Sequence, residues 1–321
     1  MRTALTQQRG AALVTALLAV TLLTVVVIEF AYSTQVDSSL AWNSVKTVQA
    51  SYLARSGVNL ALLVLRDDAR AISGIDALGE EWARPLPPLP AGQGTVMVQV
   101  TDEQGKVNLN ALRNANGTIN GPWREVVERV LQLRGVDVSL LDPLLDWLDG
   151  DDFPEPRGAE KTDYLRLTPA YAPRNDSLLT FGELGRVKGF TPALCAQLAP
   201  FVTVLPSRAT KVNVNTAPSE VLAALFPAVD PNRLEQFAVE RVDAPVRGTN
   251  ELRERLGIDP RTPVDALQMV TVRSEFFSVR ALATVAPVSQ AVVVTVHRRA
   301  GAVTPIAWCP TRTAILGSGT T

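Results

Sequence analysis

The sequence predicts an α+β fold: a long N-terminal helix packs on a small antiparallel sheet, and a large helical domain is inserted between the strands. Three observations predict it. An uncharged run near the start passes, without a proline, into an amphipathic stretch. Strand texture appears at residues 95–110 and again at 275–309. Between them, residues 110–268 read mostly as helix interrupted by prolines, and strands at both ends with helices between suggest a domain let into a sheet. The 321 residues suffice for one large domain or two smaller ones. Their 31 basic and 32 acidic side chains nearly cancel. No long-range positive field results, so no nucleic-acid partner is expected.

The first element is the apolar run. Residues 10–28 carry no charge, and as a helix they span about 28 Å, close to the hydrocarbon thickness of a bilayer. The run is longer than the apolar core of a cleavable signal, and "EFAYS" after it is a weak cleavage site. Arg2 and Arg9 precede it, while Glu29 and Asp37 come after. The N-terminus is therefore expected in the cytoplasm and the remainder outside. Downstream, Val36, Leu40, Val45, Val48, Tyr52 and Leu60 recur at roughly helical spacing. They predict one continuous helix to about Arg70, half in lipid and half packed on a soluble domain through that apolar stripe.

"ARPLPPLPAGQG" reads as a Pro/Gly linker, and "TVMVQVTDEQGKVNLN" as a hairpin turning at "DEQG". Within the helical stretch, "LLDWLDGDDFPEPRGAEKTDYLRLTPAY" and Asp142 just before it crowd eight carboxylates into a segment rich in glycine and proline. Carboxylates held together by turns repel unless a cation balances them, and oxygen ligands at close spacing suit calcium. The spacing is not that of an EF-hand. A solvated acidic loop is the plain alternative. In "KVNVNTAPSEVLAALFP", Asn215 or Thr216 is expected to cap a helix that has Pro218 and Glu220 in its first turn. This segment and "FGELGRVKGFTPALCAQLAPFVTV" have the texture of helix-hairpin-helix elements. With few and scattered basic residues, packing is the better reading than contact with DNA.

The two cysteines, Cys195 and Cys309, lie far apart with no metal-ligand spacing, and the chain's one histidine, His297, ends a strand-like run. Zinc sites and Ser-His or Cys-His hydrolases are thereby disfavoured, and no catalytic residue is expected. An oxidising compartment would allow the two cysteines to pair, while the place of Cys195 on a helix face in "ALCAQLAPF" favours the unpaired reading.

The order of these features resembles the type IV pilin-like superfamily. A short basic leader ends in Gly10, and an apolar helix starts at once with "AALVTALLAV". The resemblance implies that prepilin peptidase cuts between Gly10 and Ala11, leaving Ala11 as a methylated N-terminus. Most pilins carry glutamate at the fifth mature position; here it is Thr15. That absence, with "DWLDGDD", "GAEKTDYL", "ELGRVKG" and "NVNTAPSEVL", resembles the K family of minor pseudopilins of type II secretion. The resemblance to this family implies calcium as a structural cofactor, with Asp149, Asp151, Glu160 and Asp163 as ligands and Asp152 and Asp176 behind them. Family members usually carry an acid after "GAE", where this chain has Lys161. Implied partners are the minor pseudopilins I and J, the major pseudopilin below the tip, prepilin peptidase and the inner membrane. The implied role is structural, at the pseudopilus tip, and not enzymatic, with the soluble part in the periplasm. The expected division is a leader at 1–10, a transmembrane half-helix at 11–32, a pilin-like part at 33–109 and 269–321, and the inserted helical domain at 110–268. The rivals are a minor pilin of a type IV pilus or competence system, and a membrane-anchored metallohydrolase using the acidic loop.

Overall fold

The computed structural model describes residues 3–70, 74–208, 210–259, 261 and 265–311. Helix α1 (Thr3–Asp68) is unbroken, so the Gly10–Ala11 junction lies inside it. Its first half projects away from everything else: residues 11–45 are exposed throughout. Thr15, Thr21 and Thr24 turn their hydroxyls back onto carbonyls of their own helix, which hides those polar groups from an apolar surround. It is the described helix long and apolar enough to cross a membrane.

The second half of α1 packs on the sheet, but not through the expected stripe. Val36, Leu40, Val45, Val48 and Tyr52 are all exposed, Tyr52 by 66%. The buried face is Ala50, Ala54, Val58, Ala61 and Leu65, the same 3.6-residue period on a different side. Small side chains win because the helix lies close. A Cβ on Gly57 would come within 2.7 Å of Val96 Cγ2 and 2.9 Å of Val98 Cγ2. The bulky apolar residues are left outward, where only another molecule can cover them.

Beyond α1 and its turn, the chain enters the sheet. Strands β1 (Leu89–Ala91) and β2 (Gly94–Asp102) form a tight antiparallel hairpin. The Pro/Gly segment expected to be a linker is irregular over residues 83–88 and then supplies the short edge strand β1, where Pro90 is tolerated because an edge needs no donor on its outer side. The hairpin expected at "DEQG" does not form. Strand β3 (Val107–Asn108) turns away and pairs in parallel with β4 (Val202–Thr203). Asp102 accepts from the Gln104 N–H at 2.8 Å, tightening the chain into a short 3-10 turn that redirects it. The neighbour of β2 is instead β7 (Phe276–Val285), followed by β8 (Val288–Arg299) and β9 (Ala302–Thr311). The sheet order is β1-β2-β7-β8-β9, antiparallel throughout. On β7, Phe277, Val279, Ala281 and Ala283 face α1 and are fully buried.

Everything between β2 and β7 is the helical insertion. It comprises α2 (Gly121–Leu133), α3 (Leu141–Leu148), α4 (Lys161–Tyr164), α5 (Pro192–Leu198), α6 (Ser219–Leu225), α7 (Pro231–Asp243) and α8 (Thr249–Arg255). A second short parallel pair, β5 (Val212–Asn213) with β6 (Val270–Thr271), closes it. Its core runs from Val107 to Val270 and is separate from the core shared by α1 and the sheet. Cys195 is half-buried on α5 and Cys309 exposed on β9, both free thiols. His297 stacks on Phe276 across the β7–β8 ladder, ring centroids 4.5 Å apart.

Candidate metal centre

The acidic loop is built on α3. All eight residues of this short helix are buried, including Asp142 and Asp146 one turn apart on one face. A buried carboxylate must be satisfied, and these two take their donors from the loop beyond the helix. Asp146 accepts from the Glu155 N–H at 3.0 Å and the Ala159 N–H at 2.7 Å. Asp142 accepts from the Arg157 N–H at 3.2 Å. The loop is thereby folded back over α3. Gly158 makes this possible: a Cβ there would sit 1.7 Å from Asp146 Oδ2. Gly158→Ala is expected to break that clasp and destabilise the insertion by about 2–4 kcal/mol, since it strands a buried carboxylate. Urea denaturation followed by tryptophan fluorescence measures it.

The fold-back brings three carboxylates together. Asp149, at the end of α3, Asp151 and Glu160 each offer an oxygen within 4.8 Å of the others. Asp151 shapes the loop by accepting from the Phe153 N–H at 2.9 Å. Glu160 stands at the N-cap of α4, only 4% exposed, in a capping-box arrangement with Asp163, and neither of its carboxylate oxygens has a close hydrogen-bond partner. Asp149 Oδ1 is buried and unpartnered as well, while its Oδ2 is held by the Arg113 guanidinium. Burial pushes the Glu160 carboxyl up to about 7, helped by Asp146, Asp149, Asp152 and Asp151. Burial likewise pushes Asp149 up to about 6 against the pull of Arg113. Native proteins rarely leave buried oxygens unpaired. Three such atoms on Asp149 and Glu160, in a cluster whose donors are all hard oxygens and none nitrogen or sulfur, fit a calcium-like cation.

Asp163 is not among the three. Its Oδ2 accepts from the Glu160 N–H at 3.1 Å and so braces the N-terminus of α4. Asp152 is exposed, and Asp176 pairs with Arg208 at 3.4 Å. Lys161 is the exposed first residue of α4. Sequence reasoning missed the separate duties of Asp142 and Asp146, although the spacing of 142, 146 and 149 along one helix face carried a signal. Arg113, in "ALRNANG", carried none.

A second trio, Asp68, Asp76 and Glu80, also brings its oxygens within 4.8 Å among the described residues. It differs in kind, because Arg298 already binds Asp68 and Asp76. Glu80 accepts from the Ala77 N–H and the Trp82 indole. This trio belongs to a buried polar junction where the insertion meets the sheet. Asp102 accepts from Thr216 Oγ1 and Ser274 Oγ, both at 2.6 Å, and from Asn213 Nδ2 at 3.0 Å. Asn213, fully buried, also reaches the Asp76 carbonyl. The "NVNTAP" phrase therefore serves packing. Asn215 bonds both backbone groups of Val246, and α6 starts after Pro218 without the side-chain cap expected from Asn215 or Thr216.

A membrane-length helix lying on an antiparallel sheet, with a helical domain let in between neighbouring strands, defines a pilin-like subunit carrying an inserted domain. The same fold occurs in the crystal structure of the GspK–GspI–GspJ complex from the enterotoxigenic Escherichia coli type 2 secretion system. The match has a TM-score of 0.74 at 20% identity and covers 84% of this chain and 99% of that one. Profiles of type II secretion system protein K match residues 105–207 and 212–280. The protein K of Pseudomonas aeruginosa is 35% identical over 244 residues, 73% of this chain and 72% of its own. That of Aeromonas hydrophila is 30% identical over 298 residues, 87% and 89% of the two chains. The chain belongs to the type II secretion system protein K family, whose members are minor pseudopilins, structural parts of the secretion apparatus.

Proposed function

We propose that this chain is the terminal subunit of the periplasmic pseudopilus, joined to the minor pseudopilins I and J with the major pseudopilin below, and supports export of folded proteins across the outer membrane. The observation that carries the reading is where the insertion sits. It meets the sheet at Asp102, Ser274 and Arg298, beside Asp68, the last residue of α1. That is the end of the molecule farthest from the membrane-length segment, where a subunit stacked above would have to go. Thr15 adds to it, because its hydroxyl is bonded to Ala11 and Ala12 of its own helix and offers no charge to a neighbour. The E. coli relative was crystallised with GspI and GspJ, in keeping with those partners.

In this reading prepilin peptidase cuts between Gly10 and Ala11, and Ala11 becomes the methylated N-terminus. Residues 11–32 then anchor the chain in the inner membrane with its remainder in the periplasm. Calcium is a structural cofactor held by Asp149, Asp151 and Glu160, with Asp163 bracing Glu160. The cation supplies the positive charge that these oxygens lack, and no water activation is required of it.

The test is Thr15→Glu in a secreting strain, with a secreted reporter enzyme as readout. A carboxylate buried in a helix bundle without a partner is costly, so secretion is expected to stay level or fall. A clear gain overturns the terminal placement. Mass spectrometry of the mature chain is expected to find Ala11 first, and Gly10→Ala is expected to block processing. A different mature N-terminus removes the pilin-type route.

A further inference from the structure

Arg113 lies at the foot of the acidic loop, far from it in sequence. Its guanidinium contacts Asp149 Oδ2, donates to the Leu145 carbonyl at 3.0 Å and donates to the Gly117 carbonyl at 3.1 Å. The side chain is about 10% exposed and the carboxylate 9%. Leu145 is on α3 and Gly117 on the turn just after Arg113, before α2, so the guanidinium is fixed by groups outside the acidic loop. The consequence falls on Asp149. One oxygen is taken, and the other, Oδ1, is left buried and unpartnered, as are both oxygens of Glu160, which brings one of them within 4.8 Å of an Asp149 carboxylate oxygen.

We infer that Arg113 is a positioning residue of the metal centre: it turns Asp149 into a one-oxygen ligand and offsets one of the negative charges crowded at the site. The inference rests on the metal reading proposed above and deepens it. Asp149, Asp151 and Glu160 bring three negative charges, and Arg113 returns one positive. Asp142 and Asp146 are tied down by the loop N–H groups and so are not free to ligate, though the charge of Asp146 still acts on Glu160. The planar fork also matters. A guanidinium holds a carboxylate edge and a backbone carbonyl at once, which a lysine ammonium does with less angular control.

Charge and fork make separable predictions. Without Arg113 the site carries an extra negative charge, and a trivalent ion gains more from it than a divalent one does. Arg113→Gln is therefore expected to raise the affinity for terbium relative to calcium on the order of tenfold. Arg113→Lys keeps the charge and is expected to hold the terbium-to-calcium ratio near that of the wild type, with both affinities weakened. The experiment uses the full chain in neutral detergent. Terbium luminescence is excited through Trp147, two residues before Asp149, and calcium is titrated against it. Circular dichroism checks that each variant is folded. Should Arg113→Gln fail to fold, Arg113→Lys reads the fork alone: weaker binding of both ions with the ion-free melting temperature unchanged supports it, and wild-type affinities, or a loss that tracks a lowered melting temperature, overturn it. A ratio unchanged in Arg113→Gln, with both affinities falling together, means that Arg113 only supports the fold and overturns the inference. Binding of neither ion by the wild-type chain is a different failure, which removes the metal reading itself and this inference with it.

Discussion

In EDTA, the full-length chain is expected to lose stability as pH rises from about 4.5 to about 7, and calcium is expected to abolish that loss. The sign comes from the site. Burial and neighbouring carboxylates hold Glu160 up at about 7 and Asp149 at about 6 in the folded chain, above their ordinary values of 4.5 and 3.8. A carboxyl with a raised folded value favours the fold only while it is protonated. Its contribution is therefore present at low pH and lost as pH climbs past the unfolded value toward the folded one. From Glu160 alone the loss is on the order of 2–3 kcal/mol between pH 5 and pH 8. Bound calcium favours the ionised form, so the loaded chain should show no such fall. Glu160→Gln is the sharper variant. It removes the buried charge, so stability in EDTA at pH 8 should hold level or rise, while the response to calcium disappears. Urea titrations at several pH values, read by the fluorescence of buried Trp123 and Trp147 in the same core, give the comparison. Parallel pH profiles with and without calcium would overturn the calcium assignment.

Arg298→Met is expected to cost about 3–5 kcal/mol, the range for stripping one partner from a buried ion pair. Methionine fills much of the same space, so the effect is chiefly electrostatic. Arg298 binds Asp68, Asp76 and the Ser274 carbonyl, and its guanidinium lies 4.5 Å from the centre of the Phe277 ring. Asp76 is 1% exposed, so its charge has no water to turn to when Arg298 is gone. Adding Asp76→Asn to Arg298→Met should recover part of the stability, because the uncompensated charge is then removed too. Since this junction ties the insertion to the sheet, limited proteolysis should rise at residues 103–106 and 272–275 in the single variant and fall back in the double one. Additive losses in the double variant would show that the residues do not act as a unit.

The candidate site was partly legible. The crowded acids of residues 142–163 announced themselves because carboxylates at that density need a counter-charge, and three of the four expected ligands do converge. The fourth, Asp163, has a second duty at the N-terminus of α4 that sequence could not separate from binding a cation. Capping a helix and binding a cation call for the same side chain at the same spacing, and only the loop's path separates the two. Arg113 was invisible for the opposite reason: an arginine 36 positions from its carboxylate leaves no local pattern.

The sequence by itself determined the elements whose signal is periodic or compositional. The uncharged run made a membrane-length helix, its unbroken continuation ran to Asp68, and alternating apolar residues made β2, β7 and β8. Such elements arise from local backbone preference and one-sided burial, which neighbouring residues encode. Only the tertiary structure decided which partners they take. The face of α1 that packs is the small-residue face around Gly57, because the close approach of helix to sheet excludes the larger apolar side chains. The apparent hairpin after β2 opened into a 3-10 turn and a crossing because Asp102 finds donors on Thr216, Asn213 and Ser274, more than 100 residues downstream. Long-range hydrogen bonds of buried groups outweigh a local turn preference worth far less, and their partners are fixed by where the whole chain returns.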